Sequence, residues 1–171
     1  MIVAKDEIGD LGPENFTSTT GVVWIKNYTT TYGAFRSGLG GGYANTTLMI
    51  SKTTTDINSQ WYNYSQASSF DFYSAFLVQQ YRPSLQANEV RYGDWYLPSR
   101  GELEYLYTNK DNIAGSGYNP AHTYCSSTET NDSYAYVLNT NGTVNTNTVN
   151  NNSNAWSAKN GLYFVLPIRM F

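Results

Sequence analysis

Cysteine and histidine each occur once in this 171-residue chain, as Cys125 and His122. No disulfide can form within it, so the fold must stand on its own packing, and cysteine usage is silent about the redox compartment. A thiol nucleophile needs a base and an orienting acid. Only two residues separate the lone histidine from the lone cysteine, and no acid follows at a known spacing, so Cys125 reads as a buried, inert thiol. Charge is scarce as well. Ten Lys and Arg stand against thirteen Asp and Glu, a formal net charge of −3, and no five-residue basic cluster occurs. This argues against nucleic acid, or a polyanion such as heparin, as the main ligand. Long apolar runs are missing too. The opening MIVAKDEIGD has no long apolar stretch and no run approaches the roughly 18 residues of a membrane span, so neither a signal peptide nor membrane insertion is expected.

What is abundant is aromatic and amide chemistry. Sixteen Tyr, four Trp and seven Phe accompany many Asn, Thr and Ser, a profile closer to a binding loop than to an enzyme pocket. Tyrosine offers large, rigid contact area at little entropic cost, and Asn or Ser add adaptable hydrogen bonds. The length suits a single domain spanning residues 1–171, able to bury about 70% of its extended surface.

Local order is clearest at DWYLPSRGELEYLY, residues 94–107. Trp95 and Leu97 alternate with Asp94 and Tyr96 as in a short strand that Pro98 stops. Ser99 and Glu102 then form a capping box for a helix. Leu103, Leu106 and Tyr107 line its inner face, which leaves Glu102 and Glu104 facing water. Upstream, residues 22–25 read as a strand, residues 33–42 as a glycine-rich loop and residues 48–50 as a second strand. The glycines lack the Lys-Ser or Lys-Thr and the following helix of a phosphate cradle, so a turn or a close oligomer contact is the expectation. Residues 68–81 predict the first helix, capped by Ser68 and Asp71 and ended by Pro83. It is apolar on two sides: Phe70, Tyr73, Leu77 and Tyr81 form one stripe, Phe72, Ala75, Phe76 and Gln79 another.

Three blocks then carry a resemblance: Trp95, Leu97, Pro98 and Ser99 before a capped helix; YCSSTE from Tyr124 to Glu129; and the closing YFVLPIRMF with Pro167 and Arg169. With DEIGDLGP at residues 6–13 and GVVWI at residues 21–25, the chain resembles the C-type-lectin-like domain family of the Legionella collagen-like adhesin and related surface proteins of bacteria and phages. The order of motifs matches over roughly residues 5–171. One departure is Cys125, which stands where family members usually carry Trp. The resemblance implies an α+β C-type-lectin-like fold, two helices flanking a mostly antiparallel, loop-rich sheet. It implies a non-catalytic receptor-binding, adhesion or carbohydrate-binding module on a phage tail fibre, virion or bacterial surface, and a homotrimer. It also implies that Glu129 is mainly a structural hydrogen-bonding residue. The association of that adhesin with sulfated glycans does not carry over, because Lys and Arg are sparse.

The ligand question falls in the C-terminal third. Residues 134–138 and 163–168 read as strands, and the span from 139 to 161 is saturated with Asn and Thr. Asn141-Gly142 signals a hairpin turn, with Val144 and Val149 as short flanking strands. One reading is a solvated hairpin whose polar side chains protect a sheet edge. Another is a recognition face, with Tyr134, Tyr136, Asn139, Asn141, Asn150, Asn152, Asn154 and Trp156 binding a cell-surface glycan or protein receptor. Targets of diversity-generating retroelements share this fold and this Asn-, Tyr- and Ser-rich composition, which makes the stretch a candidate for hypervariability. A third reading is calcium, held by Glu129, Asn131 and Asp132 as neighbouring oxygen ligands. An enzyme is the weakest reading. Oxidases of the same broad fold use a cysteine pair or a His/Glu metal constellation, and one Cys with one His supplies neither. The alternative to a receptor binder is a virion structural or decoration protein without its own ligand.

Overall fold

Strand β3 (Tyr124–Glu129) is buried at every position, and the rest of the fold is arranged about it. The structure is a computed structural model in which residues 1–4, 7–8, 21–25, 29–55, 73–81, 94–113, 117–138 and 156–170 are described. In chain order the elements are β1 (Ile2–Val3), β2 (Val22–Val23), α1 (Gly41–Thr55), α2 (Ser74–Gln80), α3 (Arg100–Thr108), a 3-10 turn at Lys110–Asn112, β3, β4 (Tyr134–Leu138), β5 (Trp156–Ala158), β6 (Leu162–Tyr163) and β7 (Ile168–Arg169). All ladders are antiparallel: β1 with β7, β2 with β6, and β3, β4 and β5 side by side. Helices and separate antiparallel ladders make this an α+β chain. No helix among the described residues is long and apolar enough to cross a membrane.

Two cores lie on opposite sides of β3, and the period-two alternation of extended chain decides which residue enters which. Cys125 and Val137 join Trp24, Ile25, Met49, Val78, Leu97 and Val165 on the side of α1 and α2. Their sequence neighbours Tyr124, Leu138, Tyr96, Phe164 and Leu166 join Leu103 and Leu106 of α3 on the other. Four extended segments each contribute to both cores. Bridges from Tyr96 to Ile168 and from Tyr124 to Phe164 tie those segments across the short ladders.

Helix α3 follows the expected capping box, with Ser99 Oγ accepting from Glu102 N at 3.3 Å and the Glu102 carboxylate accepting from Ser99 N at 2.7 Å. Glu102 itself corrects the sequence expectation, since it is fully buried. Its carboxylate also accepts from Gly40 N at 2.9 Å, Gly42 N at 3.1 Å and the Tyr96 hydroxyl at 3.1 Å. A helix does open after the glycines: α1 covers residues read from sequence as the end of a loop and a strand at 48–50. Its buried stripe is Asn45, Thr46, Met49 and Thr53, a helical spacing built mostly from polar residues. An apolar moment therefore does not reveal it. Glu102 serves the N-termini of two helices at once, where orphan N–H groups and the positive ends of both dipoles favour an anion.

Among the described residues, three α-helices stand where two were expected. The second is shorter than residues 68–81, running from Ser74 with Tyr73 as N-cap, while Ser68, Asp71, Phe70, Phe72 and Pro83 lie outside the described residues. Tyr73, Leu77 and Tyr81 are buried as one stripe and Ala75 with them, while Gln79 is exposed. The expected single strand at 163–168 is divided. Tyr163 pairs with Val22, Val165 bridges Ile8 and Ile168 pairs with Val3, so the segment changes partner along its length.

Gly42 shows how tightly the α1 start is fitted. A Cβ there would lie 2.6 Å from Leu97 O and 2.7 Å from Ser99 N. Gly42→Ala is expected to cost about 2 kcal/mol or more through overpacking beside the buried carboxylate. A lower urea midpoint at unchanged slope would record it; an unchanged midpoint would show that the junction yields.

Candidate functional site

The expected site residues separate into three places. Glu129 ends β3, and Asn131 and Asp132 lie in the turn that leads to β4. Tyr134, Tyr136 and Trp156 lie on β4 and β5. Asn139, Asn141, Asn150, Asn152 and Asn154, with Val144 and Val149, lie outside the described residues.

In the β3–β4 turn the oxygens proposed for calcium already have partners. Glu129 is buried. Its carboxylate accepts from the backbone N–H groups of Tyr32 at 2.8 Å, Gly33 at 2.7 Å and Ala34 at 3.3 Å. The Lys159 ammonium, fully buried, is hydrogen-bonded to Glu129 Oε1 and reaches Thr30 O at 3.0 Å and Asp132 O at 2.8 Å. Trp24 and Tyr32 present ring faces to it at 5.0 and 5.6 Å. Asn131 Oδ1 accepts from Ser133 N and Tyr134 N, both at 2.9 Å, and Asp132 Oδ1 accepts from the Ser133 hydroxyl at 2.9 Å. The cage thus holds an ammonium where a cation would sit, and Asn131 Oδ1 and Asp132 Oδ1 bond within their own turn. These residues do not fit a calcium ion. Burial lowers the Lys159 pKa from its ordinary value, and the adjoining Glu129 carboxylate opposes that shift.

Cys125 is fully buried in the core beside α2. Burial pushes its thiol up to about 12, so it stays protonated at neutral pH and lacks the thiolate that nucleophilic chemistry uses. His122 is turned to another partner: its Nδ1 lies 2.6 Å from Glu7 Oε1, and its ring stacks on Phe164 with centroids 3.6 Å apart. Glu7 also accepts from the Tyr124 hydroxyl. Sequence separation of 115 residues between His122 and Glu7 hid this pairing.

On β4 the two-residue repeat puts Tyr134 and Tyr136 on one side of the strand, both half-buried, while Ala135 and Val137 between them are buried. The β4–β5 register sets Tyr136 opposite Trp156 and Tyr134 opposite Ala158. Sequence reasoning missed what lies against Tyr136. The Arg100 guanidinium, at the start of α3, sits 4.7 Å from the Tyr136 ring centre, and its Nε donates to Glu104 Oε1 at 2.7 Å one helical turn on. Glu104 holds the Arg100 proton more firmly than usual. Arg100, Glu104 and Tyr136 border a shallow dent over the buried residues Leu103, Ser126, Val137 and Leu138. The i,i+4 pair was visible in the sequence, but nothing there told which strand α3 would meet. Compared with known proteins, the chain matches no family model, no curated protein and no solved structure.

Lys159→Met is expected to destabilise by about 3–5 kcal/mol, because it strands the Glu129 carboxylate without a counter-charge. A melting curve reads the loss, and added millimolar calcium should not restore it; restoration would show that the cage accepts the ion. The Cys125 thiol gives a second expectation. Its folded pKa is raised above the ordinary 9.0, so the folded state keeps a proton that the unfolded state gives up, and stability falls as pH rises from about 9 toward 12. Cys125→Ala should flatten part of that alkaline slope; an identical slope would assign it wholly to the buried tyrosines.

Proposed function

We propose that this chain is a non-catalytic recognition module of C-type-lectin-like architecture, displayed on a phage fibre or bacterial surface, that binds a cell-surface glycan or protein receptor through the outward side of β4. The observation that carries the reading is the group formed by Tyr136, Arg100 and Glu104, partly exposed beside an apolar dent. Aromatic faces and planar guanidinium groups are the residue types that anchor interfaces, because they bring much contact area with few rotors. The same strand leads into the Asn-rich span from 139 to 155, which supplies amide donors and acceptors in sequence next to that group. A homotrimer is part of the proposal and rests on the resemblance to collagen-like adhesins.

A second reading, a virion structural or decoration protein, draws on a different observation. Phe35, Leu39 and Tyr43 are all more than half exposed within nine residues of chain, and exposed apolar side chains grouped so closely suit a packing neighbour. The two readings separate by mutation. Tyr136→Ala, with Trp156→Ala alongside, should abolish attachment of the purified domain to host cells or to an array of glycans while its melting temperature changes little. Attachment untouched by both substitutions would refute the β4 surface, and loss of particle assembly in place of attachment would favour the structural reading.

A further inference from the structure

We infer that the exposed face formed by Phe35, Leu39 and Tyr43 is the subunit contact of this chain, seated on a different, acid-bearing face of a second copy so that the contact repeats head to tail around a ring. This rests on the homotrimer in the reading above and names the surface that makes it.

Phe35, Leu39 and Tyr43 are 53%, 65% and 58% exposed, and they stand where the irregular segment of residues 31–37 runs into α1. Gly101 N donates to Ser37 O at 2.7 Å, which brings the start of α3 against the same turn. Tyr105, half exposed one helical turn on, leans back toward it. An aromatic side chain presents roughly 150–250 Å² in full, so these four residues together offer about 400 Å² of largely apolar surface. One side of a standard-size interface covers about 800 Å², a little over half of it non-polar. The face therefore holds most of the apolar area that a stable contact between proteins requires, more than scattered surface residues supply.

Gly38 shows how closely the partner approaches. It is exposed, its φ is outside the left-handed region, and a Cβ added there would meet nothing within 4 Å. Neither conformation nor internal packing asks for glycine at that position, unlike Gly40 with φ +81° or Gly42 against Leu97 O. A missing side chain with open space above it, among exposed apolar residues, admits another backbone at short range. A lipid surface would gain nothing from that absence.

Charge selects the occupant and the geometry. From Thr29 to Thr55 the sequence has no acid, while Arg36 and Lys52 are both exposed, so this face is positive and the acids behind the net charge of −3 lie outside it. Glu104, beside Tyr105, is balanced by Arg100 at 2.7 Å. Two such faces meeting across a two-fold axis would bring like charges together. A second copy instead offers the acidic remainder of its surface, and a contact between unlike faces closes into a ring. Such a copy also covers the exposed apolar side chains without a virion neighbour.

The test is sedimentation equilibrium and light scattering of the intact domain over a concentration series, with cell attachment measured in parallel. The expected result is reversible association to a trimer, weakened by salt because unlike charges meet. Gly38→Trp should melt like the parent at concentrations where both are monomers, since nothing lies within 4 Å of that Cβ. Its self-association should nevertheless fall about ten-fold or more, because the indole stands in the way of the partner. Leu39→Ser should weaken association about ten-fold by removing buried apolar area, and Arg36→Glu should weaken it similarly and flatten its salt dependence. Association that none of the three substitutions alters would overturn this face as the contact and leave the homotrimer in place. A symmetric dimer would overturn the head-to-tail geometry. A monomer at every concentration would overturn the contact and the homotrimer together, and cell attachment by that monomer would leave the recognition reading standing. Binding of the monomer to vesicles of phosphatidylcholine and phosphatidylglycerol, lost in Leu39→Ser, would overturn the assignment in favour of a lipid surface.

Discussion

Glu102 and Glu129 hold residues 32–42 from two ends, and the placement of both cores follows from that clamp. Among the described residues, 31–37 belong to no helix or strand, so their backbone N–H groups need other partners. Glu129 accepts from residues 32–34 and Glu102 from residues 40 and 42. Between them, Arg36 O takes the Thr128 hydroxyl at 2.8 Å, and Ser37 O takes Gly101 N at 2.7 Å. The segment is thus fastened to β3 on one side and to the start of α3 on the other. Two carboxylates out of water are costly unless each oxygen is satisfied. Glu129 meets that condition with a buried ammonium, Glu102 with two helix N-termini.

Glu7 repeats the device on the opposite core. Its carboxylate joins His122 and Tyr124, and Tyr124 Oη in turn accepts from Asn119 N at 2.7 Å. Three acids therefore each fasten an irregular segment to the ends of β3 or to the helix packed upon it. That explains how the described ladders, each of two or three strands, are held together without a disulfide. Its irregular segments are held by side chain to backbone bonds, which replace the longer ladders of a regular sheet.

The parts of this architecture that were legible in the sequence are those in which local chemistry decides. Ser99 and Glu102 are three residues apart and form a capping box by themselves. Tyr134 to Leu138 alternates as a strand must. Cys125 had no partner to make it reactive. Helix α1 was not legible, because its inner stripe of Asn45, Thr46, Met49 and Thr53 is mostly polar and reads as surface. The buried Glu102 was misplaced for a related reason: its position on the helix suggests water, and only the arrival of Gly40 and Gly42 from 60 residues upstream makes burial tolerable. Glu129 looked like a metal ligand since a carboxylate beside Asn and Asp is one, until Lys159 from the far side of β5 supplied the cation.

The candidate binding group obeys a different economy from the clamp. Glu102, Glu129 and Lys159 are fully or almost fully enclosed, so altering them exposes the whole cost of an unpaired buried group. Arg100 and Glu104 are about a third exposed. Such a pair contributes about 0–1 kcal/mol, and a guanidinium on an exposed ring adds roughly 0.5–1 kcal/mol. A folded domain does not need this arrangement for its stability, yet α3 and β4 hold the three residues together with a defined geometry. Residues that are positioned by the frame without supporting it are the ones free to be selected for a ligand, and in this chain they lie where the strand passes into the Asn-rich span. That coincidence of low structural cost with fixed geometry is the physical ground on which recognition is proposed for β4 and not for the buried cage around Lys159.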